Sequence, residues 1–135
     1  MAIVLPQGRF NNASDKYIRD FIAERCRILA VVGLHGNVFE PHTGTKTSVL
    51  SVQKWDDELC PKRDDYPIFF ATMREPSKDN SGDKIYRVNP DDSYMLDTHD
   101  HLIVKHDLYN HDGLTEDGIA EAFIEFAKKE HLSFF

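Results

Sequence analysis

The sequence predicts an α/β fold, in which part of a sheet of parallel strands is finished by an antiparallel strand and followed by an acidic C-terminal extension and a helix. Three observations carry this. Two apolar runs, at residues 2–6 and 27–34, lack the polar alternation of a half-exposed strand, so each reads as a strand covered on both faces. An amphipathic stretch lies between them and makes a strand–helix–strand crossover, which sets the two strands parallel. A third run, 45–55, alternates and follows a loop of about ten residues, too short for a helix, so it returns antiparallel.

Each element has a local cause. Pro6 ends the first strand, and 7–12 reads as loop. Ser14 is a suitable N-cap and Asp15 suits the positive end of a helix dipole, while Tyr17, Ile18, Phe21 and Ile22 share one face, predicting a helix over 14–25. Cys26 continues that face toward the core. In the third strand Val49 stands against Ser48 and Ser51. A charged linker with Pro61 covers 56–65, and 67–73 forms a fourth strand. Pro76, Ser77, Asn80, Ser81 and Gly82 predict a flexible turn within 75–83, then a short strand at 84–88 and a largely irregular stretch over 89–112. Thr115 caps the last helix, whose apolar face is Ile119, Ala122, Phe123, Phe126 and Ala127, with Lys128 and Lys129 in its last turn. The sequence carries no internal repeat.

Composition narrows the function. A chain of 135 residues with net charge −7 cannot wear a generally basic coat, so any polyanion contact is local. Residues 1–63 hold nine basic and seven acidic side chains, net +2, whereas 64–135 hold seven and sixteen, net −9. The first half is therefore where a nucleic-acid surface belongs. Two cysteines, Cys26 and Cys60, make neither a disulfide framework nor a cysteine zinc cluster and suit a reducing cytoplasm. No apolar run reaches the length of a membrane span.

The densest chemistry lies at 33–47, between the second and third strands. Asn37, Phe39, Thr43, Gly44, Thr45 and Lys46 offer an aromatic face, hydroxyl and amide donors and one cation at the carboxyl end of a covered strand, where α/β sheets place binding loops. Such a loop can stack a base and meet a phosphate; equally, Phe39 can plug the sheet edge while the threonines solvate a turn. His99, Asp100, His101, His106 and His111 supply imidazoles and a carboxylate, but their spacing matches no structural zinc pattern and reads as exposed histidines. Asn89-Pro90-Asp91-Asp92 reads as a turn. There is no Ser-His-Asp arrangement, Walker loop or dinucleotide glycine motif.

The strand end Ala2-Ile3-Val4-Leu5-Pro6-Gln7-Gly8, the helix start Ser14-Asp15-Lys16-Tyr17-Ile18-Arg19, the strand end Val32-Gly33-Leu34, the loop Phe39-Glu40-Pro41-His42-Thr43-Gly44-Thr45-Lys46-Thr47-Ser48 and the tail Ile119-Ala120-Glu121-Ala122-Phe123 together resemble the N-6 adenine DNA methylases of type I restriction-modification systems. The resemblance is to the modification (M) subunit, to the second half of its catalytic domain and the extension after it, and covers essentially the whole chain. It implies a partial Rossmann-like methyltransferase sheet, with 1–56 the C-terminal half of the catalytic domain, 57–113 a strand and loop extension, and 114–135 an amphipathic helix. It places Phe39 against a flipped adenine and Asn37, Thr43, Gly44, Thr45 and Lys46 around it, near DNA. An amine buried in a duplex cannot meet a methyl donor, so the base is extruded, and an aromatic face offsets part of the stacking it loses.

The resemblance also implies S-adenosylmethionine as cofactor of the intact enzyme, and specificity and restriction subunits as partners. The family's cofactor loop and its Asn/Asp-Pro-Pro-aromatic tetrapeptide precede the strand that matches residues 2–6. The chain is accordingly expected to be a truncated product or an excised portion, inactive alone and without cofactor, with a sheet edge that a second copy could cover. The alternative is a non-catalytic interaction module that docks through Phe123, Phe126, Phe134 and Phe135.

Overall fold

A computed structural model describes residues 1–132 of the chain. Its elements are β1 (Ala2–Pro6), α1 (Lys16–Arg25), β2 (Cys26–Gly33), β3 (Thr47–Lys54), β4 (Phe69–Thr72) and α2 (Ile119–Lys129), with 3-10 turns at Gln7–Phe10 and Ala13–Asp15. The α/β expectation holds. One sheet runs in the order β1-β3-β2-β4. β3 is antiparallel to both β1 and β2, so those two are parallel to each other with β3 inserted between them, and β4 adds parallel on the far side of β2. Val49 is the common partner at mid-sheet, facing Val4 on one side and Val32 on the other.

The β2–β3 ladder slips by one residue, pairing Ile28 with Val52 but Ala30 with Ser51. The extra residue is Leu29, and the bulge lets Leu29 and Ala30 both be buried. Over Leu29 lies α2: Leu29, Ala127 and Leu132 form a buried cluster with Phe123 and Phe126 packed against it. Phe69 of β4 meets both rings, at 5.5 and 5.7 Å between centroids. The two phenylalanines read as a docking surface therefore face this protein's own core, and Phe134 and Phe135 lie outside the described residues. Ala122, assigned by spacing to the same stripe, is exposed.

Three local expectations are corrected. Ala2, Ile3 and Val4 are exposed rather than covered on both faces, because β1 is the edge strand and among the described residues pairs only with β3. The predicted inner face of α1 is open as well, with Tyr17 71% exposed and Ile18 and Phe21 also exposed. Neither predicted cap is used: Asn12 Oδ1 accepts from the Ser14 amide, and α2 begins after Gly118, whose N–H donates to Glu121. Cys26 opens β2, half-buried, while Cys60 is buried.

The predicted turn within 75–83, the short strand at 84–88 and much of the stretch expected to be irregular, 89–112, are together ordered as three hairpins. The turns at 79–83, 89–93 and 97–101 share one pattern: the first residue's N–H donates to the fifth residue's C=O, the fourth residue's N–H donates to the first residue's C=O, and the fourth residue (Gly82, Asp92, Asp100) has positive φ. Their flanks close into two rings of backbone hydrogen bonds. Ser77 N–H donates to Lys105, Lys105 to Ile85, and Ile85 back to Ser77; Arg87 donates to Ile103, Ile103 to Met95, and Met95 back to Arg87. Ile103, only 1% exposed, belongs to the second ring. Asn89-Pro90-Asp91-Asp92 is the middle turn, as expected.

Candidate nucleic-acid interface

β1, β2 and β4 point the same way, so their carboxyl ends lie at one end of the sheet, where open α/β sheets bind ligands. The loop 34–46 leaves β2 there. It is closed at its base by Leu34 N–H on Thr47 C=O at 2.9 Å and joined to the end of β1 by Gln7 N–H on Lys46 C=O at 3.0 Å. Its interior is a run of tight turns. Val38 N–H donates to His35 C=O, Glu40 N–H to Asn37 C=O, and His42 and Thr43 N–H both to Phe39 C=O, at 2.9 and 3.2 Å. The Glu40–Pro41 peptide is cis.

The six predicted site residues fall on this loop but do different things. Asn37 turns inward, its Nδ2 donating to Lys78 C=O at 3.0 Å and to Asn80 Oδ1 at 3.2 Å. Thr43 and Thr45 bond to each other, Oγ1 to Oγ1 at 2.9 Å, and Thr45 N–H donates to Thr43 Oγ1 at 3.1 Å. Phe39 is 38% exposed. Gly44 and Lys46 are exposed, and the Lys46 ammonium has no ion-pair partner among the described residues. Two other cations are engaged: Lys78 Nζ donates to Glu40 C=O at 3.0 Å, and Arg9 Nη1 donates to both carboxylate oxygens of the buried Asp15, each at 3.0 Å.

Sequence reasoning missed the far side of the site. Gly82, with φ of 87°, lies against the loop, and a side-chain carbon there would stand 2.4 Å from Pro41 Cδ. The turn that carries it was legible from Asn80, Ser81 and Gly82, but nothing local signalled its contact with residues some forty positions earlier. Beside Val38, a cavity of about 340 Å³ opens between the loop and the hairpins, lined by Met73, Ser77, Ile103, His106 and His111. Its histidines are not the exposed set expected. His106 is buried, its Nδ1 accepting from Leu108 N–H at 3.2 Å, with the Tyr109 and His111 rings at 4.6 and 4.7 Å. Burial, with repulsion from His111 and Arg87, holds its pKa below 6.5. His99 and His101 are exposed, and both their amides donate to Asp97, which lowers that carboxyl's pKa. Among the described residues no three or more His, Cys, Asp or Glu side chains converge as a metal site would require. Among the same residues no helix is long and apolar enough to cross a membrane.

A search of curated proteins finds no match to the chain. The family model for N-6 DNA methylases does match, over residues 1–121, a span that takes in the whole sheet, the 34–46 loop, the hairpins and the start of α2. The mixed sheet, with β3 antiparallel among parallel strands, is compatible with the partial Rossmann-like methyltransferase sheet that the resemblance implied, and on the family match the chain belongs to the N-6 DNA methylase family.

Proposed function

We propose that this chain is the target-base portion of an adenine-N6 DNA methyltransferase, the M subunit of a type I restriction-modification system. Residues 1–56 make the second half of the catalytic domain, 57–113 its strand and loop extension, and 114–135 the terminal helix. One observation carries the reading: the 34–46 loop is held from within by Asn37, yet leaves Phe39 partly exposed on the same loop as an unpaired Lys46. An aromatic face there offsets part of the stacking that an adenine loses on leaving the duplex, and Lys46 meets a phosphate. Asn37 shapes the loop, and Thr43, Gly44 and Thr45 make the rest of its DNA-facing edge.

S-adenosylmethionine supplies the methyl group in the intact enzyme, and on this reading these residues do not form its seat. The two glycines nearest the end of β2 are covered by the chain itself. A side-chain carbon at Gly33 would meet Thr72 at 3.6 Å, and one at Gly36 would meet Gly44 O at 3.4 Å. The 89–92 turn is likewise closed on itself, with Asn89 Nδ2 donating to Ser93 Oγ and Tyr94 C=O. On this reading the chain alone transfers no methyl group. Its partners are DNA, the specificity and restriction subunits, and a second copy through the outer edge of β1, in the cytoplasm.

One experiment tests the reading. The 135-residue chain is titrated with a duplex carrying a single bulged adenine and with the fully paired duplex, each with labelled S-adenosylmethionine present. Tighter binding to the bulged duplex is expected, with Phe39→Ala lowering that preference by about fivefold or more and no label transferred. Equal affinities that Phe39→Ala leaves unmoved, or turnover by the isolated chain, would contradict it. The alternative of a non-catalytic interaction module is favoured by the open apolar face of α1 at Tyr17, Ile18 and Phe21, and predicts no effect of Phe39→Ala on DNA.

A further inference from the structure

One hairpin holds the 34–46 loop from the side. Lys78 and the loop bond reciprocally: Lys78 Nζ donates to Glu40 C=O, and Lys78 C=O accepts from Asn37 Nδ2, each at 3.0 Å. Asn80 Oδ1 takes a further Asn37 proton at 3.2 Å. Phe39 lies between these two anchor points, Asn37 and Glu40. Gly82 closes the contact. A side-chain carbon at that position would stand 2.4 Å from Pro41 Cδ and 2.5 Å from Pro41 N, so only glycine lets the turn seat against the loop backbone. The turn is itself braced, with Asp79 Oδ1 accepting from the Ser81 and Asp83 amides, and it is tied through Ser77 and Ile85 to the hydrogen-bond ring behind it.

We propose that Lys78 and Gly82 are positioning residues, a clamp that fixes where Phe39 stands to receive an extruded base. The proposal rests on the reading of Phe39 as the stacking residue. A ring already in place binds a base without first losing the freedom of a loose loop, so the clamp acts on the encounter with an unpaired base and not on the charge contact with paired DNA. Comparing the bulged with the paired duplex cancels any change in overall charge.

The test uses Lys78→Met, Lys78→Arg and Gly82→Ala in the 135-residue chain, with two readouts. The first is hydrogen exchange at the His42 and Thr43 amides, which bond to Phe39 C=O. In Lys78→Met and Gly82→Ala it is expected to rise about tenfold or more while the β2 and β3 amides hold. The second is the ratio of affinities for the bulged and paired duplexes, expected to fall about fivefold or more in both variants and to return in Lys78→Arg. Lys78→Met adds no bulk and covers the case in which Gly82→Ala unfolds the hairpin. Unchanged exchange overturns the clamp whatever the DNA readout. Faster exchange with an unchanged ratio overturns the positioning role, and if Phe39→Ala still lowers the ratio the base-stacking reading stands. A wild-type ratio near one overturns both.

Discussion

His106 is a buried base whose neighbours disfavour its charge. Burial comes first, then His111 and Arg87, while Asp107 and Glu75 oppose them only in part. Its folded pKa thus lies below the value near 6.5 it takes when the chain unfolds. Between those two values the unfolded chain binds more protons, so stability rises with pH; the contribution is complete above 6.5 and is lost as pH falls through the window beneath it. Measured in urea, the wild-type midpoint should drop more steeply between about pH 7.5 and about 5.5 than that of His106→Gln. Equal slopes would remove His106 as the cause. Arg27 is a different case. Its buried guanidinium stands 3.9 Å from Glu130, beyond hydrogen-bond reach, and 5.3 Å from the Tyr66 ring, so proximity and a ring face hold the charge, with Nε unbonded among the described residues.

At the scale of elements, α2 and β2 share one contact that decides both. The bulge turns Leu29 toward Ala127, which has no exposed surface, and Leu132 completes the cluster. Leu29→Ala should cost about 2–4 kcal/mol by urea unfolding, since the cluster is held between a strand and a helix that cannot both collapse into the space. A loss below about 1 kcal/mol would mean that α2 contributes little to the fold. The sequence made these elements legible because 27–34 and the phenylalanine stripe of α2 are continuous apolar signals. It did not reveal the start of α2. Thr115 is a good cap by type, but the Glu121 carboxylate collects both the Gly118 and the Asn110 amides, and that choice depends on a loop folded back from elsewhere. Of the hairpins, two turns were legible but their pairing was not, for a related reason. Each strand is a residue or two long, too short for a period, and the bonds that order them join residues up to twenty-eight apart, as Ser77 is from Lys105. That Phe39 and Lys46 lie on a loop at the end of a strand was legible, while the contacts of that loop with Lys78 and Gly82 join distant segments that no local pattern announces.

For the whole molecule, polar and apolar surfaces are unevenly placed. Ile3 and Val4 on β1 and Tyr17, Ile18 and Phe21 on α1 are exposed, and among the described residues β1 is bonded along one side only. An uncharged open edge recruits another strand. By sedimentation at rising concentration, the wild type should self-associate and Ile3→Lys should remain monomeric, since a lysine in mid-edge opposes strand addition. A wild type that stays monomeric throughout would rule out association through this edge. The three hairpins are the opposite kind of object. In each of their two rings, every member gives its N–H to one neighbour and its C=O to the other, so there is no first or last strand. Such a ring offers no end from which to fray. Losing any one member leaves the other two each short of a partner, so these segments are kept or lost together, and the clamp on the loop is kept or lost with them.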